Sequence, residues 1–416
     1  MDTWNLAAPP VSELGDREVP DEGRHLEGKR IAMMVAGGIA AMKAPLVARA
    51  LRRQGAEVTA FISPEGLRYV TADALEWSTA RAVVTKLSAR AEHLSDDNPF
   101  DAYLLPQATY NTINKMAHGI ADSVITTPMA SALGRMERGH CAVLLAPTMH
   151  GTMHNSLLTT SLQRLQDMGV RIIPPREAYG KHNIPTEDVL VAEVCRAVST
   201  SPLKGQRVLV TGGPTPVPLD GVRRIVPRFR GRLGIEVTQE IYLRGGEPLL
   251  IHGDGALPAP PHLPLEVALT YDDYRELVHK HLTDGEWLSG IFTAAVADYK
   301  PTAVADGKIP SGRELHIDLV PTAKVIEEVR QNHPDLHMIT FKYLELVSHE
   351  ELMAEAQRRL ESYEVVVANR GEETERGGPQ VAWLVARGQD EPRRYEGKPV
   401  IAAALADHLE RVVRGR

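Results

Sequence analysis

Cysteine is scarce in this chain, with only Cys141 and Cys195 among 416 residues. Neither belongs to a CxxC pair or a ligand cluster with histidine, which excludes a disulfide scaffold and a structural zinc site, and no metal ligand set is expected. Long apolar runs are also missing. None approaches the roughly 18 residues of a membrane span, and the N-terminus has no basic region leading into an apolar one. No membrane partner is expected, and a cytoplasmic location follows by elimination. Excess positive charge is absent as well: the net charge is −7 and the pI is near 6.2. That balance gives no long-range attraction for nucleic acid, although local basic patches can still serve a phosphorylated small molecule.

What is present is the composition of a folded protein, 43% hydrophobic and 24% charged. A chain of 416 residues is too long for one ordinary core and fits two domains of about 200 residues. Residues 1–27 are acidic and proline-containing without apolar periodicity, and read as a mobile arm. Ile31 to Val35 is an apolar run ending in Ala36-Gly37-Gly38, followed by helical spacing over Ile39 to Arg53 and a second strand at Val58 to Ile62. This is a βαβ unit. Further strands are expected at Ala102 to Leu105, Ala142 to Ala146 and Val170 to Ile173, an alternation that predicts a doubly wound parallel sheet. The helical pattern stops at Ser199-Thr-Ser-Pro202, and Arg207-Val-Leu-Val-Thr-Gly-Gly-Pro214 opens a second strand and glycine turn. The division is therefore 28–198, a linker at 199–204, and 205–416. The second half has strand candidates at Pro248 to Ile251, Gly290 to Ala294 and Val365 to Ala368, with helices at Tyr274 to Leu282 and Glu350 to Tyr363. The fold class is α/β, two Rossmann-like doubly wound domains.

Gly37-Gly38 lies where a strand gives way to a helix, so backbone N–H groups and the positive helix end can meet a phosphate there. Three segments extend the signal: Val35-Ala-Gly-Gly-Ile-Ala-Ala-Met-Lys43, Pro106-Gln-Ala-Thr-Tyr-Asn-Thr-Ile-Asn-Lys115 with Ala117-His-Gly-Ile-Ala-Asp122, and Ala146-Pro-Thr-Met-His-Gly-Thr-Met153. Together they resemble the FMN-binding, flavodoxin-like cysteine decarboxylase family, which includes the phosphopantothenoylcysteine and lantibiotic peptide decarboxylases. The resemblance implies an FMN site at the strand ends, lined by Gly37, Gly38, Ile39, Ser63, Thr109, Asn111, Thr112, Thr126, Thr127, Met149 and Met153. It also implies a catalytic histidine, and His93, eight residues before Asp101, has the matching interval. The family oxidises a cysteine thiol by hydride transfer to FMN, releases carbon dioxide, and in the coenzyme A branch reduces the resulting enethiol. Two positions depart from the family pattern. His150 stands where an asparagine holds the substrate carboxylate. Ala178-Tyr179-Gly180 occupies the place of an Ala-Cys-Gly segment, so Tyr179, with an ordinary phenol pKa near 10, replaces an acid near 8.5.

In the second half, Val208-Leu-Val-Thr-Gly-Gly-Pro-Thr215, Asp220-x-Val-Arg-x-Ile225, Ala294-Ala-Val-Ala-Asp-Tyr-Lys-Pro301, Lys308-Ile309, Ile339-Thr-Phe-Lys342 and Val366-Val-Ala-Asn369 resemble phosphopantothenate–cysteine ligase, the usual fusion partner of the decarboxylase. The resemblance implies binding of CTP or ATP with Mg²⁺ and assigns Gly213, Asp298, Lys308, Phe341 and Lys342 to the nucleotide. Pro227-Arg-Phe-Arg-Gly231 replaces the family's Asn-x-Ser-Ser-Gly loop, which removes an amide side chain and a backbone donor and leaves Arg228, Arg230 and Arg232 as forked phosphate donors. The partners implied are a small thiol or carboxylate substrate, such as a phosphopantothenate derivative, and further copies of the chain in a homo-oligomer. Three functions remain open: the bifunctional enzyme, an oxidative decarboxylase of another thiol acid, and a catalytically silent FMN-binding regulatory subunit.

Overall fold

A computed structural model describes residues 7–94, 97–312, 314–373, 378–389 and 391–415. The chain separates into two compact units, Met1–Ser199 and Thr200–Arg416.

The first unit is built on five parallel strands: β1 (Arg30–Val35), β2 (Glu57–Ile62), β3 (Ala102–Ala108), β4 (Ala142–Pro147) and β5 (Arg171–Ile172). Their spatial order is β2-β1-β3-β4-β5, the flavodoxin-like arrangement, whose switch point lies between β1 and β3. The strands read as apolar runs because both faces are covered: Ile31 to Val35 and the whole of Ala102–Ala108 are buried. Helix α1 (Ala44–Arg53) begins with Pro45 in its first turn and buries Ala44, Val47, Ala48 and Leu51 along one stripe, and α2 (Ala72–Thr79), capped by Thr71, follows β2. On the other face, Tyr103, Leu105 and Ala108 pack in one cluster with Ile113, Met129 and Leu158. These come from α3 (Tyr110–Ala117), α4 (Thr126–Met136) and α5 (Ser156–Asp167). The pairing of β3 with β4 slips between Leu105 and Ala108, where β3 carries one extra residue as a bulge. Beyond β4, Met149–His150, Lys181–Asn183 and Arg176–Ala178 form a small antiparallel sheet.

The expected free arm is tied down along its described length from Arg17 onward. Leu26 is fully buried, its N–H donates to Gln54 O at 2.8 Å, and Glu22 N–H donates to Arg53 O at 2.9 Å. The Arg17 guanidinium reaches Glu76 O at 2.9 Å. One apolar residue with two backbone bonds anchors a segment that shows no periodicity, which is why the sequence did not reveal it.

Among the described residues, the main sheet of the second unit has eight strands. They are β6 (Arg207–Gly212), β7 (Glu247–Gly253), β8 (Leu265–Ala268), β9 (Ser289–Phe292), β10 (His337–Leu344), β11 (Val365–Arg370), β12 (Val381–Ala386) and β13 (Arg393–Glu396). Their order is β8-β7-β6-β9-β10-β11-β12-β13. The first six are parallel and the last two antiparallel, with the reversal of strand order between β6 and β9. Helix α7 (Arg232–Leu243) follows Gly231, which has φ 75°. A Cβ there would lie 2.4 Å from Gly213 N, so only glycine permits this approach. Helix α8 (Tyr271–Thr283) starts with a capping box of Thr270 and Asp273, as does α10 (His349–Arg359) with Ser348 and Glu351; α6 (Glu187–Val198) is the last helix of the first unit, and α9 (Val325–Asn332) precedes β10. The long α11 (Lys398–Gly415) stacks His408 on His337 with ring centres 5.1 Å apart. No helix among the described residues is long and apolar enough to cross a membrane.

Candidate functional site

At the carboxyl ends of β1 and β3 the first unit opens into a cavity of about 960 Å³, within the range that holds a cofactor-sized ligand. Eight of the eleven residues expected at the flavin line it: Gly37, Ser63, Thr109, Asn111, Thr112, Thr126, Thr127 and Met153. The other three do not. Gly38 is the next residue in the turn, and a Cβ on it would touch Thr109 Cγ2 at 3.3 Å. Ile39 is 66% exposed, and Met149 is buried in the core cluster.

Local chemistry fixes this lining. Thr109 caps α3, its Oγ1 accepting from Thr112 N–H at 3.3 Å and lying 3.0 Å from Thr112 Oγ1. Thr126 opens α4 and its Oγ1 accepts from the N–H groups of Asp122 and Ser123, each at 3.0 Å. Two helix N-termini therefore meet at one cavity, a ready environment for a phosphate. A Cβ at Gly37 would come within 2.3 Å of Glu65 Cβ, so glycine lets β1 and the turn after β2 approach this closely. Lys115 Nζ holds Asp122 Oδ2 at 2.6 Å, and this bond, against a small burial effect, keeps the Asp122 carboxyl below its usual range. Thr85, Lys86 and Leu87 also line the cavity and escaped sequence reading. They follow Val84, which bridges to Phe61 as an isolated pair, and a single bridge leaves no periodic pattern.

The proposed catalytic positions are divided. The small antiparallel sheet brings His150 and Tyr179 together: His150 pairs with Lys181, and Gly151 N–H donates to Gly180 O at 2.9 Å. His150 Nδ1 lies 2.8 Å from Thr152 Oγ1 and accepts from Thr152 N–H at 3.2 Å. Tyr179 sits at the hairpin tip, 94% exposed, with φ 54°. His93 is in a turn that does not contribute to the cavity lining, and its Nδ1 is buried without a hydrogen-bond partner among the described residues. Asp101, whose spacing singled out His93, is a strand clip. Its carboxylate accepts from Arg30 N–H at 2.8 Å and pairs with Lys29 at 3.2 Å, at the end of β3 opposite the cavity.

In the second unit, strand register aligns the glycine turn with two expected nucleotide residues. Phe292 pairs with Thr211 on one side and Thr340 on the other, so Gly212-Gly213, Thr293-Ala294 and Phe341-Lys342 stand level along the sheet. Lys342 is held 3.7 Å from Glu355, and Asp298 is exposed and paired with Lys324. Lys308 is exposed on a loop whose next residue, Ile309, donates its N–H to Asp220 Oδ2 at 3.0 Å. Burial alone would raise the Asp220 carboxyl. The N–H groups of Ile309, Val222 and Arg223, with the Arg223 charge, outweigh it and hold the pKa at about 2. Of the three arginines read as phosphate donors, Arg228 is engaged by Glu345 and Arg232 by Glu236 at 2.7 Å, which leaves Arg230 as the exposed candidate.

Residues 203–412 match the family model for the DNA/pantothenate metabolism flavoprotein C-terminal domain, and residues 20–199 match the flavoprotein model. Over 355 residues the chain is 33% identical to the coenzyme A biosynthesis bifunctional protein CoaBC of Thermococcus kodakarensis, covering 84% of this chain and 87% of that one. This chain belongs to the CoaBC family. It is also 30% identical to the CoaBC of Methanocaldococcus jannaschii, over 83% of this chain and 84% of that one. A solved DNA/pantothenate metabolism flavoprotein from Streptococcus pneumoniae covers 50% of this chain and 99% of its own at 24% identity, with a TM-score of 0.45. Membership accounts for both halves of the α/β architecture, a flavoprotein unit followed by a pantothenate-metabolism unit.

Proposed function

We propose that this CoaBC-family member works at two sites. The first unit holds FMN and removes the carboxylate of a cysteine-derived thiol acid, 4'-phosphopantothenoylcysteine. The second joins phosphopantothenate to cysteine using CTP or ATP with Mg²⁺. The observation that carries the reading is the cavity at the β1/β3 switch point, where two helix N-termini and eight family positions converge. Such a crevice is where an α/β sheet of this order takes its ligand. The amides opening α3 and α4 hold the cofactor phosphate, Gly37 leaves room for it, and Ser63, Thr109, Asn111, Thr112, Thr126, Thr127 and Met153 shape the rest. Gly38, Ile39 and Met149 form the surround. Bound FMN supplies a hydride acceptor for the thiol carbon. His93 takes the thiol proton, and His150 holds the carboxylate. In the second unit Gly213, Asp298, Lys308, Phe341 and Lys342 hold the nucleotide, the lysines against its phosphates.

Ile39, Met42 and Leu46 are 66%, 58% and 56% exposed on one turn and helix beside the cavity. A second copy of the chain covers this stripe in a homo-oligomer. The protein works in the cytoplasm, where Cys141 and Cys195 stay reduced.

Purified protein should be yellow. Given phosphopantothenate, cysteine and CTP, it should yield products identifiable by mass; colourless protein that takes up no added FMN refutes the first half. A second reading, an oxidative decarboxylase that stops at the enethiol, is favoured by Tyr179, a weak acid 94% exposed at its hairpin tip. The two readings differ in the product, which is two hydrogens lighter in the second.

A further inference from the structure

A row of polar contacts next in the chain to the cavity-lining Met153 has no part in the assignments above. His182 Nε2 lies 2.7 Å from His154 Nδ1. On its far side, His182 Nδ1 faces Glu177 Oε1 at 3.5 Å, a distance for charge attraction rather than a hydrogen bond. On the near side, His154 Nε2 lies 3.3 Å from Thr159 Oγ1. One assignment of protons serves the whole row. With the His182 proton on Nδ1, turned toward the Glu177 carboxylate, His182 Nε2 accepts from His154 Nδ1–H, and His154 Nε2 competes for the Thr159 hydroxyl with the Asn155 carbonyl, to which Thr159 Oγ1 donates at 3.3 Å. The row reaches the cavity through the neighbours of His154. Met153 lines it, and the Asn155 amide meets the hydroxyl of Tyr110, another lining residue, at 3.4 Å.

The row is built to hold one extra proton. A proton arriving at His154 Nε2 breaks only the Thr159 bond. Transfer of the Nδ1 proton then moves the charge to His182, beside Glu177. A second proton would place two cations in contact, which their mutual repulsion opposes. His154 is open to solvent, whereas the His182 side chain is 16% exposed, so protons enter at one end and the charge is stabilised at the other. His150, Tyr179, Lys181 and Arg176 are the other titratable or charged groups of the small sheet, and α5 contributes the Thr159 hydroxyl.

We propose that His154 and His182, backed by Glu177, are the proton relay that completes decarboxylation. This rests on the decarboxylase reading. Once the flavin has oxidised the thiol to a thiocarbonyl, the bond to the carboxylate breaks and its electron pair becomes a C=C bond. The C=S π pair moves to sulfur, carbon dioxide leaves, and the sulfur anion takes the proton from His154 Nε2. The row then returns to its resting arrangement. His93, which takes the thiol proton in the preceding step, has a separate duty.

The test uses full-length, FMN-loaded protein with 4'-phosphopantothenoylcysteine. His154→Gln and His182→Gln should leave FMN affinity and the rate of flavin bleaching within about threefold, while slowing enethiol release by about 10²-fold, the usual worth of a positioned acid. The pH dependence that an imidazole acid imposes across neutrality should vanish from that release step in both variants. In substrate-free protein, nitrogen NMR of labelled histidine should show a coupling across the hydrogen bond between His154 Nδ1 and His182 Nε2. Absence of that coupling, or enethiol release unchanged in both variants while the flavin bleaches normally, would overturn the relay alone. A wild-type protein whose flavin this substrate never bleaches would overturn the decarboxylase reading and the relay with it.

Discussion

His408 should make the second unit sensitive to mild acid. It is 8% exposed on α11 and stacks on His337 with the two Nε2 atoms 3.0 Å apart. Burial, then the neighbouring charges of His337 and Arg411, push its pKa down to about 4 from an ordinary 6.5. A depressed histidine binds its proton more weakly in the folded state than in the unfolded one. Its contribution is therefore full above pH 6.5 and drains away as the pH falls toward 4. Integrated from pH 7 to pH 4, the difference in proton binding is about 3 kcal/mol, a large share of a domain's usual stability. The assay is urea unfolding of wild type and His408→Gln across that range, followed by fluorescence with Trp287 and Trp383 as reporters in the second unit. Carboxylates titrate in both proteins, so the readout is the difference between them. The wild type should lose about 3 kcal/mol more than the variant between pH 7 and pH 4. Parallel stability curves would refute the assignment of the strain to this imidazole.

Three further perturbations follow from the geometry. Gly37→Val places a Cβ 2.3 Å from Glu65 Cβ, and flavin fluorescence titration should show FMN affinity at least about tenfold weaker while the far-UV spectrum is kept; unchanged affinity would remove this turn from the site. Arg244 is 15% exposed and paired with Glu240, Asp407 and Glu410 at 2.6–3.0 Å, so Arg244→Leu, which removes the cation these carboxylates share while Glu410 keeps Arg414 at 3.4 Å, should cost about 3 kcal/mol or more in urea unfolding. A loss under about 1 kcal/mol would mean that solvent already screens the network. Lys308→Ala should weaken CTP binding by roughly tenfold in calorimetry with magnesium, and equal affinity would place the triphosphate elsewhere.

The sequence was most informative where the fold repeats a pattern. Apolar runs ending in glycine marked β1 and β6, and the helices with clear apolar stripes appeared close to their expected bounds, α8 among them. The four strands β8, β10, β12 and β13 were not anticipated. Two of them, the edge strands β8 and β13, expose several residues, Leu265 and Val267 in β8 among them, and edge strands lack the continuous burial that makes a run stand out; β10 is fully buried only over Met338–Thr340. At the candidate site, the expected positions came from the family resemblance, and among them only Thr109 has a local signature, as the cap of α3, where residue type is restricted. The Thr85 to Leu87 stretch and the His154–His182 row were invisible. Their placement depends on contacts across 28 positions or on a single bridge, which leave no local trace.

The extra residue in β3 decides how the chain arrives at the cavity. Side chains along a strand alternate between faces, so a residue added within β3 would ordinarily send everything after it to the wrong side. The bulge between Leu105 and Ala108 absorbs the offset, and Thr109 still arrives where it can cap α3 beside the cavity. Distance along the chain is thus a poor ruler here. Counting alternate residues from the start of β3 therefore misjudges the face that Thr109 serves, and removing the extra residue should turn its hydroxyl away from the Thr112 N–H.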